Sequence, residues 1–249
     1  MTIHRFFLPS ECFQKDKVLI MEKELCHQMV NVLRLKIGEN VVLLDNQGFE
    51  YESEIKSLNK NLVQFDVLLK KKNGNEAKYD VFLYQAITKK LETFELIAQK
   101  ATELGVKGIF PLVTERTLRD FLPKKDRLEK IMKEASEQSE RGFIPLLFDP
   151  IKFEDAVEKV SKDKNVLNLF CYERENSPLT PQPLSHSLKR EGQGENFGIN
   201  IFIGPEGGFS DKEVNLVKSC SEKFQIISLG KRILRTETAA IVALAKVLV

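Results

Sequence analysis

Residues 41–44 are a short apolar run, and apolar positions recur with a period of two over residues 49–55 and at 63, 65, 67 and 69, the patterns of strands with a buried face. Asn46, Gln47 and Gly48 separate the first two runs, which predicts a hairpin with a short glycine-containing loop. Val63, Phe65, Val67 and Leu69 form the inward face of a third strand. Ahead of them Leu25, Met29 and Val32 share one side of a helix expected over 22–32. A few strands and one helix make a small β-rich barrel. The charged, glycine-containing stretch 70–76 marks its end, giving domains at 1–72 and 73–249.

From Tyr79 the period changes, and strands alternate with helices in the manner of a mostly parallel α/β sheet. Strands are expected over 80–87, 108–113, 166–173, 199–203 and 224–229. Leu91, Phe94, Ile97, Ala98, Ala101 and Leu104 recur at helical spacing within 88–104, a helix closed by Gly105. Further helices are expected over 127–140, with Leu128, Ile131, Met132 and Ala135 inward, and over 155–162. Ser210 and Glu213 form an S-x-x-E capping box that starts another helix at about Asp211. The chain closes on 239–249, where Lys246 is the only charge, and a helix apolar all round is normally buried all round. Residues 174–198 interrupt the alternation with Pro178, Pro181, Pro183, Gly192 and Gly194, so a mobile insertion is expected there.

Composition narrows the picture without redirecting it. With 42% apolar and 30% charged residues the chain is an ordinary globular protein. A net charge of +2 means that any nucleic-acid binding must come from local clustering of cations. Cys12, Cys26, Cys171 and Cys220 are scattered without C-x-x-C spacing, as reduced thiols of a cytoplasmic protein would be, and no metal site is expected. The first residues lack the apolar stretch of a signal peptide. The closing apolar run of about eleven residues is too short to span a bilayer, which takes about twenty.

Candidate chemistry concentrates in two loops. Gly204, Pro205, Glu206, Gly207 and Gly208 follow the strand 199–203, and Gly230 to Thr238 follow 224–229. Loops at the carboxyl ends of adjacent parallel strands, built for close backbone approach, are where an open α/β sheet holds a ligand. Neither loop is a phosphate loop, because no Gly-Lys-Ser/Thr follows, and G-x-G-x-x-G is absent from them. On glycines alone a tight strand-to-helix turn explains the first loop. Arg232, Arg235 and Glu237 beside an apolar closing helix favour a site.

The run from Ile203 to Ser210, followed by that from Leu229 to Ala239, resembles the ribosomal RNA small-subunit methyltransferase E family of the SPOUT, or α/β-knot, superfamily. The stretches 4–7, 27–39, 99–106 and 134–141 are similar to other motifs of that family, which has a shorter link where 174–198 lies. The resemblance implies a carboxy-terminal trefoil-knotted parallel-sheet domain behind a PUA-like RNA-binding barrel. It implies a homodimer, S-adenosylmethionine as cofactor, and methylation of uridine N3 in 16S rRNA, whether free or in an assembling small subunit. The implied cofactor contacts are Ile203, Gly204, Pro205, Glu206, Gly207, Gly208, Leu229, Gly230, Ile233, Leu234, Thr236 and Thr238, with Tyr172 beside them. Candidate RNA contacts are Arg5, Arg34, Lys89, Lys100, Glu103, Gln138 and Arg141, each of which is otherwise read as a solvated or helix-capping charge or polar group.

Uracil N3 carries a proton, so the site needs a base or a group that stabilises the anion. Glu237 and Glu206 are the candidate bases, Arg235 the candidate stabiliser, and Glu206 is equally read as holding its own loop by bonding to backbone amides. The competing readings are another SPOUT methyltransferase acting on tRNA or on a ribose 2'-oxygen, and an RNA-binding protein without catalysis.

Overall fold

The computed structural model describes residues 3–163, 165–173 and 197–249; the expected insertion, apart from residues 197 and 198, lies outside them. The chain folds as two units. One comprises residues 1–76 and 136–144, the other 77–135 and 145–249.

In the first unit β1 (Arg5–Phe7), β2 (Lys17–Ile20), β3 (Asn40–Leu44), β4 (Phe49–Leu58) and β5 (Val63–Lys72) pair in the order β1-β3-β4-β5-β2. Among the described residues the order is open, with β1 and β2 at its ends, and only β1 and β3 run parallel. The predicted hairpin joins β3 to β4. Asn46 and Gly48 take positive φ there, and the Asp45 carboxylate accepts from the Gln47 and Phe49 amides. Phe6, Val18, Ile20, Met29, Leu43, Ile55 and Phe65 form its core.

Two expectations change in this unit. The predicted helix is α-helical only over α1 (Lys23–His27), continues as a π-helix over Gln28–Val32, and leaves Val32 64% exposed. The lysine run at 70–72 is strand, paired with β4 from Phe49 to Tyr51. It stays in register because the Lys70 ammonium lies 4.4 Å from the Phe49 ring centroid and 5.0 Å from that of Tyr51, while Lys71 bonds Glu52 at 2.6 Å.

The second unit is a parallel α/β sheet. Its strands are β6 (Asp80–Ala86), β7 (Gly108–Val113), β8 (Leu146–Leu147), β9 (Ile151–Lys152), β10 (Val166–Cys171), β11 (Gly198–Ile203) and β12 (Phe224–Ile227). They lie in the order β12-β10-β11-β6-β7-β8, with β9 also against β7, and every pair is parallel. The helices are α2 (Leu91–Leu104), α3 (Lys125–Gln138, its last turn counted with the first unit), α4 (Phe153–Ser161), α5 (Asp211–Ser219) and α6 (Thr236–Leu248). All residues of β11 are buried, as in strands covered on both faces. Its one polar residue, Asn200, donates to Asn168 on β10 at 2.7 Å, and Asn168 donates to the Lys223 carbonyl at 2.9 Å, which satisfies both amides. Across β7, β6 and β11 the rings of Phe110, Tyr84 and Phe202 stack, with 4.5 Å between neighbouring centroids. Burial pushes the Tyr84 hydroxyl up to about 12.

Here too the structure corrects the pattern. The strands at 199–203 and 224–229 are adjacent in the sequence-based reading, but β10 lies between β11 and β12. Its carboxyl end lies beside both loops, where Tyr172 is expected. Helix α6 starts at Thr236, earlier than expected, behind an extended Arg235. It is covered on one face only: Ala240, Ala243 and Leu244 are buried, whereas Ile241, Val242, Val247 and Leu248 stay half-exposed. No helix of the described residues is long and apolar enough to cross a membrane.

Candidate functional site

Beyond the carboxyl ends of β10, β11 and β12 the chain encloses a hollow of about 180 Å³. One water needs only ~10–15 Å³ on this scale, so the hollow is ligand-sized. Its first wall is the loop after β11, where the Gly208 amide closes a turn on the Pro205 carbonyl at 2.8 Å with Gly208 at φ +68°. A Cβ on Gly204 would stand 3.3 Å from the Gly208 carbonyl carbon and 3.2 Å from the Phe209 ring. Phe209 is the anchor of this loop: it is buried with its ring centroid 4.4 Å from that of Phe170 and 5.3 Å from that of Phe153. The capping box forms as the spacing predicts, Ser210 Oγ accepting from the Glu213 amide and the Glu213 carboxylate from the Ser210 amide.

The second wall is the loop after β12, and a hydrogen-bond chain ties the two together. Thr236 Oγ1 donates to the Gly204 carbonyl at 2.6 Å, and Gln85 Nε2, at the end of β6, donates to Thr236 Oγ1 and to the Ala86 carbonyl, both at 3.0 Å. Gln85 is fully buried, and its Oε1 has no partner among the described residues. Cys171, Tyr172 and Glu173 at the end of β10 supply the floor between the loops. Burial pushes the Cys171 thiol up to about 12.

Of the expected cofactor contacts, Tyr172, Ile203, Gly204, Pro205, Glu206, Gly207, Gly208, Leu229, Gly230, Ile233, Leu234 and Thr236 line the hollow. Thr238 does not; it is exposed on the first turn of α6. Arg235 and Glu237 are also outside the lining, Arg235 exposed at the N-cap of α6 and Glu237 half-buried in its first turn. Glu206 does bond a backbone amide, but that of Lys89 on another loop, at 3.0 Å. Glu173 and Arg232, which the sequence places beside the two loops, line the hollow too, whereas sequence reasoning missed Cys171, Phe209 and Ala239. It also passed over Gln85, whose signal was legible as one amide in an otherwise apolar run.

The expected RNA contacts divide sharply. Lys89, Arg34 and Gln138 are exposed, Arg34 at a positive φ of 53°. Lys100 and Glu103 bond each other at 2.7 Å across one turn of α2. Arg5 is held between Glu50 at 2.6 Å and Glu140 at 3.1 Å. Arg141, expected to project toward substrate, is only 2% exposed and grips both oxygens of Glu76. Among the described residues no group of three or more His, Cys, Asp or Glu side chains is arranged to hold a metal.

A protein named Ribosomal RNA small subunit methyltransferase E from Rickettsia conorii is 33% identical over 248 residues, 99% of this chain and 96% of its own length. One of the same name from a Synechocystis species is 38% identical over 89% of this chain and 69% of its own. The chain belongs to this methyltransferase E family. Residues 75–248 match the RNA methyltransferase domain, and residues 26–68 the RNA methyltransferase PUA domain, so the amino-terminal unit of this family member is PUA-like. Two solved structures share its fold over 98% of the chain and 96% of their own. One is a family member from Neisseria gonorrhoeae bound to S-adenosyl methionine, 28% identical with a TM-score of 0.84. The other, from Legionella pneumophila with the same cofactor bound, is 30% identical with a TM-score of 0.81.

Proposed function

We propose that the chain is an S-adenosylmethionine-dependent methyltransferase that modifies N3 of a uridine in 16S rRNA. The observation that carries the reading is the hollow walled by the two glycine loops, in a member of a family whose printed name is that of a small-subunit rRNA methyltransferase. The hollow fits the cofactor's chemistry. Ile203, Leu229, Ile233 and Leu234 offer apolar surface for a purine, the glycines leave main-chain groups approachable, and Glu173 and Glu206 supply carboxylates for a cationic ligand. When bound, the cofactor supplies an electrophilic methyl group on a sulfonium. The protein contributes alignment and exclusion of water, effects that together amount to roughly 7–11 kcal/mol in well-oriented systems.

Arg235 is the residue we assign to the uracil anion. It sits next to Thr236 at the cavity wall, and its guanidinium makes no side-chain hydrogen bond among the described residues, so its donors are available. Glu237, two residues on, is the assigned base. Lys89, Arg34 and Gln138 are assigned to the RNA because they are exposed, and the target base must be single-stranded or flipped since N3 lies on its pairing edge. Thr238 is assigned as a cofactor contact only through movement of the exposed first turn of α6. We further propose that 73–249 is the knotted catalytic domain and 1–72 the RNA-gripping one, that the protein acts in the cytoplasm, and that it works as a homodimer. The link from Thr236 to Gly204 supports passage of the last segment past the glycine loop, and the half-exposed apolar side of α6 supports the dimer.

Calorimetry with S-adenosylmethionine tests the cofactor. Nucleoside mass spectrometry of small-subunit rRNA from cells lacking the gene tests the product, with loss of 3-methyluridine expected and its return on complementation. Methylation of tRNA or of a ribose 2'-oxygen instead would move the chain to a neighbouring activity.

A further inference from the structure

The segment that follows β7 carries none of the motifs that point to the site, yet it is bonded to both neighbouring loops. The Arg116 guanidinium donates to the Gly207 carbonyl at 2.6 Å, and a Cβ on Gly207 would stand 3.4 Å from Arg116 Cδ, so stem and head both rest on the glycine loop. Three residues on, Arg119 donates to the Lys89 carbonyl at 3.0 Å. The same Lys89 residue gives its N–H to Glu206 Oε1, which closes a ring through the loops after β6, β7 and β11. The segment is itself fixed by the Glu115 amide, which donates at 2.9 Å to Glu213, the buried carboxylate of the capping box. None of Lys89, Glu115, Arg116 and Arg119 lines the hollow.

We propose that Arg116 is a positioning residue that holds the glycine loop against the cofactor from outside the cavity, with Arg119 and Glu206 completing the clasp. The inference rests on the hollow being the cofactor site. Gly207 and Gly208 have no side chain of their own to fix them, so the backbone between Glu206 and Phe209 that is free to approach a ligand is also free to move away from it. A charged donor on the Gly207 carbonyl removes that freedom before the ligand arrives, and preorganised loops bind more tightly. Because the Lys89 backbone is held on both sides, the clasp also makes the loop carrying the exposed Lys89 side chain move with the glycine loop.

Arg116→Met keeps the aliphatic stem against Gly207 and removes only the donor, and Arg116→Lys restores a donor. In cofactor-free protein, amide exchange over 206–208 is expected to accelerate in Arg116→Met and to return toward wild type in Arg116→Lys. S-adenosylmethionine affinity is expected to fall about three- to tenfold in Arg116→Met, the scale of one charged hydrogen bond discounted for exposure, while kcat at saturating cofactor stays within about twofold. The salt dependence of rRNA binding is expected to be unchanged. Unaltered exchange in Arg116→Met would overturn the clasp, and so would a reduced salt slope, which would make Arg116 a phosphate contact. Should the wild-type protein not bind S-adenosylmethionine, the reading of the hollow fails, while the exchange measurement still judges the clasp by itself.

Discussion

Thr236 joins two roles in one hydroxyl, since it donates to the Gly204 carbonyl and accepts from Gln85. Thr236→Val keeps the shape and strands both partners, with an expected loss of about 1–3 kcal/mol in urea unfolding and weaker cofactor binding. Arg235 lies outside the cavity wall, so Arg235→Ala should lower turnover much more than cofactor affinity; equal effects on both would remove it from the chemistry. Cys171 is pushed up to about 12 by burial, so it stays protonated at neutral pH and should react slowly with iodoacetamide at pH 8. Bound cofactor should slow it further, which peptide mass spectrometry reads directly. At this scale the sequence named most of the wall, because glycines and their neighbours declare a tight loop. It misplaced Arg141, because the carboxylate that buries it, on Glu76, is 65 positions away in the chain and nothing local announces the pair.

The glycine loop works as an element only through its backbone. Gly208 sits at φ +68° with merely ordinary contact at 3.5 Å to Glu173 beyond, so Gly208→Ala should cost about 1–2 kcal/mol of stability through backbone strain alone, measured by thermal unfolding. Gly204 has no such strain, and a methyl group there meets the Gly208 backbone at 3.3 Å. Gly204→Ala should therefore displace the loop and weaken S-adenosylmethionine binding more than Gly208→Ala does, a comparison calorimetry can make. Local patterns located the hairpin, the capping box and the Gly105 stop of α2 because each is decided within a few residues. The order of β10, β11 and β12 was not legible for the opposite reason. Period and turn residues specify a strand but say nothing of which strand it will lie beside.

For the whole molecule, the half-exposed apolar side of α6 is the surface that the described residues leave uncovered. If it is the homodimer interface, Val242→Glu should produce a monomer in analytical ultracentrifugation while the isolated fold keeps its circular dichroism, and activity should fall with the dimer. The apolar run at 239–249 made the helix legible, but hydrophobicity alone could not say whether its own chain or a second one would cover it. The strand order carries a different consequence. β11 is the bridge between β10 and β6, yet it is made after both. Until residues 198–203 leave the ribosome, the earlier strands are two fragments with no strand between them to pair their edges, and the closing helix is later still. An interrupted translation product would therefore hold no half-working enzyme; it would expose the very surfaces that quality-control proteases recognise.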